Sequence, residues 1–282
     1  MLKIKLFAKK IIYSIPGTQM LWIFLYKRFH PTPKPDFEGW GMTTNSFTPW
    51  CNGGNDDLAK GFLDAHLEMV SKVVAGDIRL SQFEKIKDKK QLLQELMWRH
   101  YFVYWSTWYA AKATVCSVKN LVECGVCDGL TVHFAMSAVK NKYKFKSFLY
   151  DAWESMKREF LLDSELEYLG QYSFLSVDNT QKNLAAFQHE SVYIKGYIPD
   201  SFAGADNPNR IAWLHLDLNS SLPTVMALEF FYERMDPGGI ILFDDYAWHS
   251  CLDTKLVVDQ FLVGKSGVLL PLPTGQAMFF KT

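Results

Sequence analysis

From about residue 120 onward, short apolar runs alternate with segments whose apolar residues recur at helical spacing. Such alternation is typical of strands joined by crossover helices, which lie parallel in one sheet with helices on both faces. We therefore predict an α/β protein with a Rossmann-like sheet. The predicted strands are Leu121–Cys124, Phe148–Tyr150, Val192–Ile194, Ile211–Leu216, Ile240–Phe243, Val268–Leu270 and Met278–Phe280, and the predicted helices between the first five include Val132–Lys140, Thr180–His189 and Pro223–Met235.

The residues before this alternation predict a helical N-terminal extension. Asp57–Val74 and Asp88–Lys112 each carry apolar residues at helical spacing, so each predicts one helix. Residues 30–35 are rich in proline and predict an extended linker. We divide the chain into an N-terminal arm, loop and cap over residues 1–112 and a Rossmann-like domain over residues 113–282.

Charge and cysteine content narrow the classes of function. The formal net charge is zero, which argues against nucleic acid as the main partner, because binding phosphates needs a basic surplus. The five cysteines include one CxxC pair, Cys124 and Cys127, with no second pair to complete a zinc site. We interpret them as reduced thiols and expect a cytoplasmic location.

Residues 1–35 are basic and apolar, with seven lysines and arginines before the first acid, Asp36. Their apolar run Met20–Tyr26 is far shorter than the ~20 residues that a bilayer requires. The segment is either an arm that packs on its own domain or on a second subunit, which we favour, or a stretch that lies on an anionic membrane surface. The apolar N-terminal half also favours a homodimer.

The first predicted strand runs into a Gly-x-x-x-Gly turn and then a helix. The glycines would let the backbone approach a ligand closely, and the helix N-terminus offers free N–H groups. Cys127 replaces the middle glycine that dinucleotide enzymes need for a pyrophosphate. A sulfonium nucleoside has no pyrophosphate, and its amino-acid carboxylate can use the turn amides while Glu123 receives its amino group. The predicted cofactor residues here are Glu123, Gly125, Val126, Gly129 and Thr131.

Asp151 ends the second predicted strand, 22 positions beyond Gly129. This is close to where an acid that binds a ribose diol is expected. Trp153, and Tyr197 after Gly196, follow strand ends and could flank an adenine ring, although either side chain could also serve only in packing. We count all four residues as predicted cofactor positions.

Three aspartates follow two further strands: Asp217 after the fourth, and Asp244 and Asp245 after the fifth. If these strands are neighbours, the carboxylates repel one another unless a cation joins them, and hard oxygen ligands suit Mg²⁺, Mn²⁺ or Ca²⁺. Asp244 and Asp245 can share an ion only if Asp245 has already left the strand. Such a cation would lower the pKa of an acceptor hydroxyl. Asp217, also a predicted cofactor residue, and His249 are the two candidates to accept the proton.

These motifs together resemble the macrocin O-methyltransferase (TylF/MycF-like) family. The resemblance rests on Val122–Thr131, Asp151–Glu154, Asn183–Leu184, Lys195–Gly196, Leu216–Leu218 and Pro237–Tyr246. It implies a class I S-adenosylmethionine-dependent enzyme that methylates sugar hydroxyls of natural products with Mg²⁺. It also implies cofactor roles for Glu123, Gly125 and Asp151, a metal triad of Asp217, Asp244 and Asp245, and a lid at Phe37–Trp50.

The chain departs from that family in two places. The glycine expected shortly after Asp151 is absent, and no histidine lies between Tyr150 and Gln188, where some members carry the proposed base. The base therefore stays open between Asp217 and His249.

We predict an S-adenosylmethionine-dependent, metal-assisted O-methyltransferase that acts on a hydroxyl of a sugar, glycan or glycosylated small molecule. One alternative is a nicotinamide-dependent oxidoreductase, which the missing middle glycine disfavours. The other is a non-enzymatic scaffold on a membrane surface that uses the basic N-terminal segment.

Overall fold

A computed structural model of the chain describes residues 57–248 and 251–282. The predictions made for residues 1–35, for the Phe37–Trp50 loop and for His249 therefore lie outside the described residues.

The described residues form one seven-stranded sheet with the strand order β3-β2-β1-β4-β5-β7-β6. The first five strands in this order are parallel, and β7 and β6 continue the sheet antiparallel. All seven predicted strands are confirmed. Their bounds are Val118–Cys124 (β1), Lys144–Asp151 (β2), Ser191–Lys195 (β3), Ile211–Leu216 (β4), Met235–Phe243 (β5), Gly267–Pro271 (β6) and Ala277–Lys281 (β7).

Seven α-helices accompany the sheet in the described part of the chain, and three of them precede it. They are Asp57–Ala75 (α1), Lys89–Glu95 (α2), Met97–Ala113 (α3), Leu130–Val139 (α4), Val177–Asn183 (α5), Ser221–Phe231 (α6) and Leu252–Leu262 (α7). The predicted α/β fold with a helical region before the sheet is thus confirmed. None of these helices combines the length and the apolar character needed to cross a bilayer.

The single helix predicted over Asp88–Lys112 is wrong in one respect, because the segment forms two helices. Asp88 caps α2 by accepting a hydrogen bond from the Gln91 N–H at 2.8 Å. The break falls at Leu96, whose φ of −89° and ψ of 2° leave the helical region. The second helix therefore starts afresh at Met97, which places Arg99 in its first turn.

Alternate residues of each central strand enter two hydrophobic cores, one on each face of the sheet. On β1, Leu121 packs with the core that contains α1, α3 and α4, whereas Val122 packs with the core that contains α6 and α7. The helices before the sheet share the first of these cores. Both faces are covered, so ligands can reach the parallel strands only at an edge, beyond their carboxyl ends.

Candidate active site

The candidate site lies where β1, β2, β4 and β5 end side by side. The backbone N–H of Asp217 bonds the Cys124 carbonyl at 2.9 Å, and that of Asp244 bonds the Leu216 carbonyl at 2.9 Å. A cavity of about 610 Å³ opens at this edge of the sheet. Its lining includes Arg99, Gly125, Val126, Thr131, Asp151, Gly196, Tyr197, Asp217, Asp244, Asp245 and Gln276.

The glycine turn after β1 depends on a close approach of two chain segments. Gly125 has a φ of +90°, and a Cβ built on it would lie 1.7 Å from the Asp217 carbonyl oxygen. Gly129 begins α4 with a φ of +82°, and its Cβ would meet the Leu184 side chain at 2.9 Å. Only glycine tolerates both conditions, so these residues let the turn pass beside the end of β4.

Asp151 holds the same turn from β2. Its carboxylate accepts the Cys127 N–H at 2.8 Å and the Trp153 N–H at 2.6 Å. Burial raises the pKa of Asp151, and these two backbone hydrogen bonds oppose that shift. A carboxylate has further acceptor positions, so Asp151 can still face a ribose from the cavity wall.

Two predicted cofactor residues lie behind the lining of the cavity. Trp153 is buried, and its indole N–H donates to the Cys127 carbonyl at 3.0 Å and the Thr180 hydroxyl at 2.9 Å. Glu123 is buried and lies 2.8 Å from Nδ1 of His215. Trp153 supports the glycine turn and Glu123 contacts β4, and neither side chain is part of the cavity lining. Their contact with the cofactor stays a prediction.

Tyr197 and Gly196 line the cavity beside β3. The Tyr197 ring stacks on Phe160 with centroids 4.9 Å apart and an interplanar angle of 8°. Its hydroxyl donates to the Ser155 carbonyl at 2.7 Å, which fixes the ring against the wall. Contact of Tyr197 with an adenine ring stays a prediction.

The carboxylates of Asp217 and Asp244 come together around the guanidinium of Arg99. Nε of Arg99 lies 2.9 and 3.0 Å from the two oxygens of Asp244, and Nη2 lies 2.6 Å from Oδ2 of Asp244. The same Nη2 donates to Oδ2 of Asp217 at 2.7 Å. Nη1 lies 3.3 Å from the Thr131 hydroxyl at the start of α4. One arginine thus joins the ends of β4 and β5 to the glycine turn.

Two further buried polar side chains, His215 and Gln276, contact Asp244. Nε2 of His215 lies 3.5 Å from Oδ1 of Asp244, and Gln276 donates to the same oxygen at 2.9 Å. Burial lowers the pKa of His215, but the neighbouring carboxylates of Asp244 and Glu123 outweigh it and raise the pKa to about 10. We therefore treat His215 as a cation that supports Asp244 from behind.

The three aspartates have different proton affinities because their partners differ. Burial would raise the pKa of Asp244, but Arg99 and His215 hold it well below the usual range. Burial and the charge of Asp244 raise the pKa of Asp217 well above that range. The same two causes raise the pKa of Asp245 to about 7, and its Oδ2 is buried without a hydrogen-bond partner among the described residues.

The donor set differs from the predicted metal triad. Ligand atoms of His215, Asp217 and Asp244 lie within 4.8 Å of one another, a group that does not include Asp245. However, the guanidinium of Arg99 already binds the carboxylate oxygens that a divalent ion would need. With the side chains in this arrangement, the site does not fit a metal. An ion could bind between these carboxylates only by displacing Arg99. The metal triad stays a prediction.

Sequence reasoning missed Arg99, His215 and Gln276. His215 could have been found, because it lies on β4 two residues before Asp217, and side chains two apart along an extended chain point to the same side. Arg99 lies 118 positions from Asp217. Its only sequence signal is a cation in a helix that is otherwise largely aromatic and apolar.

Comparisons with known proteins agree with this fold. Residues 122–246 match the methyltransferase domain family Methyltransf_24. No curated protein matches the chain. The solved structure of the O-methyltransferase NovP is 16% identical with a TM-score of 0.61, over 78% of this chain and 99% of that protein. CalS11, a calicheamicin methyltransferase, is 16% identical with a TM-score of 0.54, over 86% of this chain and 98% of that protein.

The fold and the domain match define the class of protein. The chain is an enzyme with a class I, Rossmann-like methyltransferase fold that depends on S-adenosylmethionine. The matched residues contain the glycine turn, Asp151 and all three aspartates of the site.

Proposed function

We propose that the enzyme transfers the methyl group of S-adenosylmethionine to a hydroxyl of a sugar, glycan or glycosylated small molecule. One observation carries this proposal: the glycine turn with Asp151 and the carboxylate cluster line the same cavity. A sulfonium nucleoside held by the turn would therefore have its methyl group close to acidic side chains. The two structural neighbours, an O-methyltransferase and a calicheamicin methyltransferase, support this class of acceptor.

The cofactor would lie across the ends of β1 and β2. Free N–H groups at the start of α4 favour the amino-acid carboxylate, as helix N-termini favour anions. Asp151 would accept both hydroxyls of the ribose, and Tyr197 with Gly196 would border the base. This arrangement needs no pyrophosphate site, which agrees with Cys127 in place of a middle glycine.

The reaction needs one proton acceptor. The acceptor oxygen attacks the methyl carbon as the carbon–sulfur bond breaks, and S-adenosylhomocysteine leaves with the sulfur electron pair. We assign the hydroxyl proton to the carboxylate of Asp217, because this side chain lines the cavity in which the acceptor would meet the methyl group. His249 remains the second candidate.

No step of this mechanism is assigned to a metal ion, since Arg99 holds the carboxylates. Four further features stay predictions from the sequence: the homodimer, the cytoplasmic location, the lid and the contact of residues 1–35 with a subunit or membrane.

Labelled methyl transfer tests the function directly. Wild-type enzyme with methyl-labelled S-adenosylmethionine is incubated with a panel of sugar nucleotides and glycolipids, and label in each acceptor is counted. Replacement of Asp217 by Asn should lower turnover about 10²- to 10⁴-fold, the usual contribution of a positioned base. The exposed residue Asp206 supplies the control Asp206→Asn, which should retain full turnover. Equal turnover of Asp217→Asn and wild type would exclude Asp217 as the base.

A further inference from the structure

We propose that Arg99 is the resident cation of the carboxylate cluster and takes the place of the divalent ion predicted there. The proposal rests on the contacts of its guanidinium, which lie between 2.6 and 3.0 Å from Asp217 and Asp244. In this role Arg99 is a positioning residue, because it holds Asp217, the base of the proposed function, together with Asp244.

The geometry of the contact between Arg99 and Asp244 is specific to arginine. Nε and Nη2 approach both oxygens of Asp244 side by side, the forked arrangement that arginine forms with carboxylates and lysine cannot. Exposed fractions of 24% for Arg99, 18% for Asp217 and 10% for Asp244 leave little water to compete. Because it starts a new helix after the break at Leu96, α3 directs this side chain to the ends of the strands.

Arg99 contacts three of the four carboxylate oxygens of this pair, all except Oδ1 of Asp217. Both oxygens of Asp244 are bound by Arg99, and one of them also accepts from Gln276 at 2.9 Å. A divalent ion at these oxygens would lie next to the guanidinium, and the two positive charges would repel each other. Arg99 and the ion are therefore alternatives at one position.

Manganese binding tests this competition without an acceptor. Mn²⁺ is titrated into wild type, Arg99→Gln and the charge-retaining Arg99→Lys, and free ion is followed by electron paramagnetic resonance. Removal of a positive charge from about 4 Å of a divalent ion should tighten binding at least about tenfold in Arg99→Gln. Arg99→Lys should bind Mn²⁺ as weakly as wild type, because the competing charge remains.

Thermal unfolding provides a second readout. Without metal, Arg99→Gln should unfold at a lower temperature than wild type, because two buried carboxylates lose their cation. Mn²⁺ should raise the Tm of Arg99→Gln and leave that of wild type unchanged, because a ligand stabilises only the fold that binds it.

Micromolar binding of Mn²⁺ by the wild type would overturn the proposal, even if Arg99→Gln failed to fold. Binding by Arg99→Gln that is no tighter than wild type would also overturn it. Calorimetry with S-adenosylmethionine on the same wild-type protein separates this result from the proposed function, since cofactor binding does not require Arg99 to be the resident cation.

Discussion

Asp244 and Asp245 are adjacent in the sequence and chemically identical, yet their pKa values shift in opposite directions. Asp244 lies against Arg99 and His215, which lower its pKa, whereas burial and the charge of Asp244 raise that of Asp245. The sequence predicted which acids stand at the strand ends. It could not predict their protonation, because that depends on an arginine from a helix far away in the chain.

A substitution at Gly125 tests the close contact between the glycine turn and the end of β4. Gly125→Ala would place its methyl group 1.7 Å from the Asp217 carbonyl oxygen, so the turn and the end of β4 must separate. We expect a loss of about 3 kcal/mol or more in the free energy of unfolding. Urea denaturation measures the loss, and calorimetry should show weakened binding of S-adenosylmethionine.

Gly76 supplies the matched control, because its φ is +85° and nothing lies within 4 Å of its built Cβ. Gly76→Ala should therefore lower the free energy of unfolding by about 1–2 kcal/mol, the cost of a left-handed backbone conformation, and leave cofactor binding intact. Equal effects of the two substitutions would contradict the close contact at Gly125.

At the scale of elements, apolar runs predicted strands well and helix ends poorly. The predicted Ile211–Leu216 coincides with β4, since every residue of that strand is buried. The fifth strand begins five residues earlier than predicted, at Met235, because Met235 pairs with Ile211 of β4 and the register then shifts before Ile240 pairs with Trp213. Helix α7 was not predicted, and the breaks after Leu96 and Asn183 depend on local backbone geometry rather than on periodicity.

Three buried histidines pack between α1, α3 and α4. His66, His100 and His133 have ring nitrogens without a hydrogen-bond partner among the described residues. Burial lowers the pKa of all three, that of His133 to about 4. The unfolded chain takes up these protons near pH 6.5 while the folded protein does not, so stability falls as the pH drops from about 6.5 towards 4.

The variant His133→Leu tests this account of the helical layer. Urea denaturation at pH 7 and pH 5 should show that wild type loses more unfolding free energy between these pH values than the variant does. The expected difference is about 2 kcal/mol, from the 1.5 pH units between 6.5 and 5. The exposed residue His189 provides the control, because His189→Leu should keep the wild-type dependence. The same pH dependence in His133→Leu and wild type would rule out His133 as a contributor.

At the scale of the whole molecule, the site is assembled from residues spread between Arg99 and Gln276. The parallel sheet explains this, because the ends of β1, β2, β4 and β5 meet at one edge regardless of their separation in sequence. The topology was predictable from the alternation of strands and helices. The contribution of α3 was not predictable, because nothing in the sequence indicates which helix covers the strand ends.

Calorimetric titration of the wild type with S-adenosylmethionine and, separately, with NAD distinguishes a methyltransferase from a nicotinamide-dependent enzyme. We expect S-adenosylmethionine to bind at one site per chain and NAD to give no binding heat, because the turn after β1 lacks the glycine that a pyrophosphate requires. Binding of NAD without binding of S-adenosylmethionine would contradict this expectation.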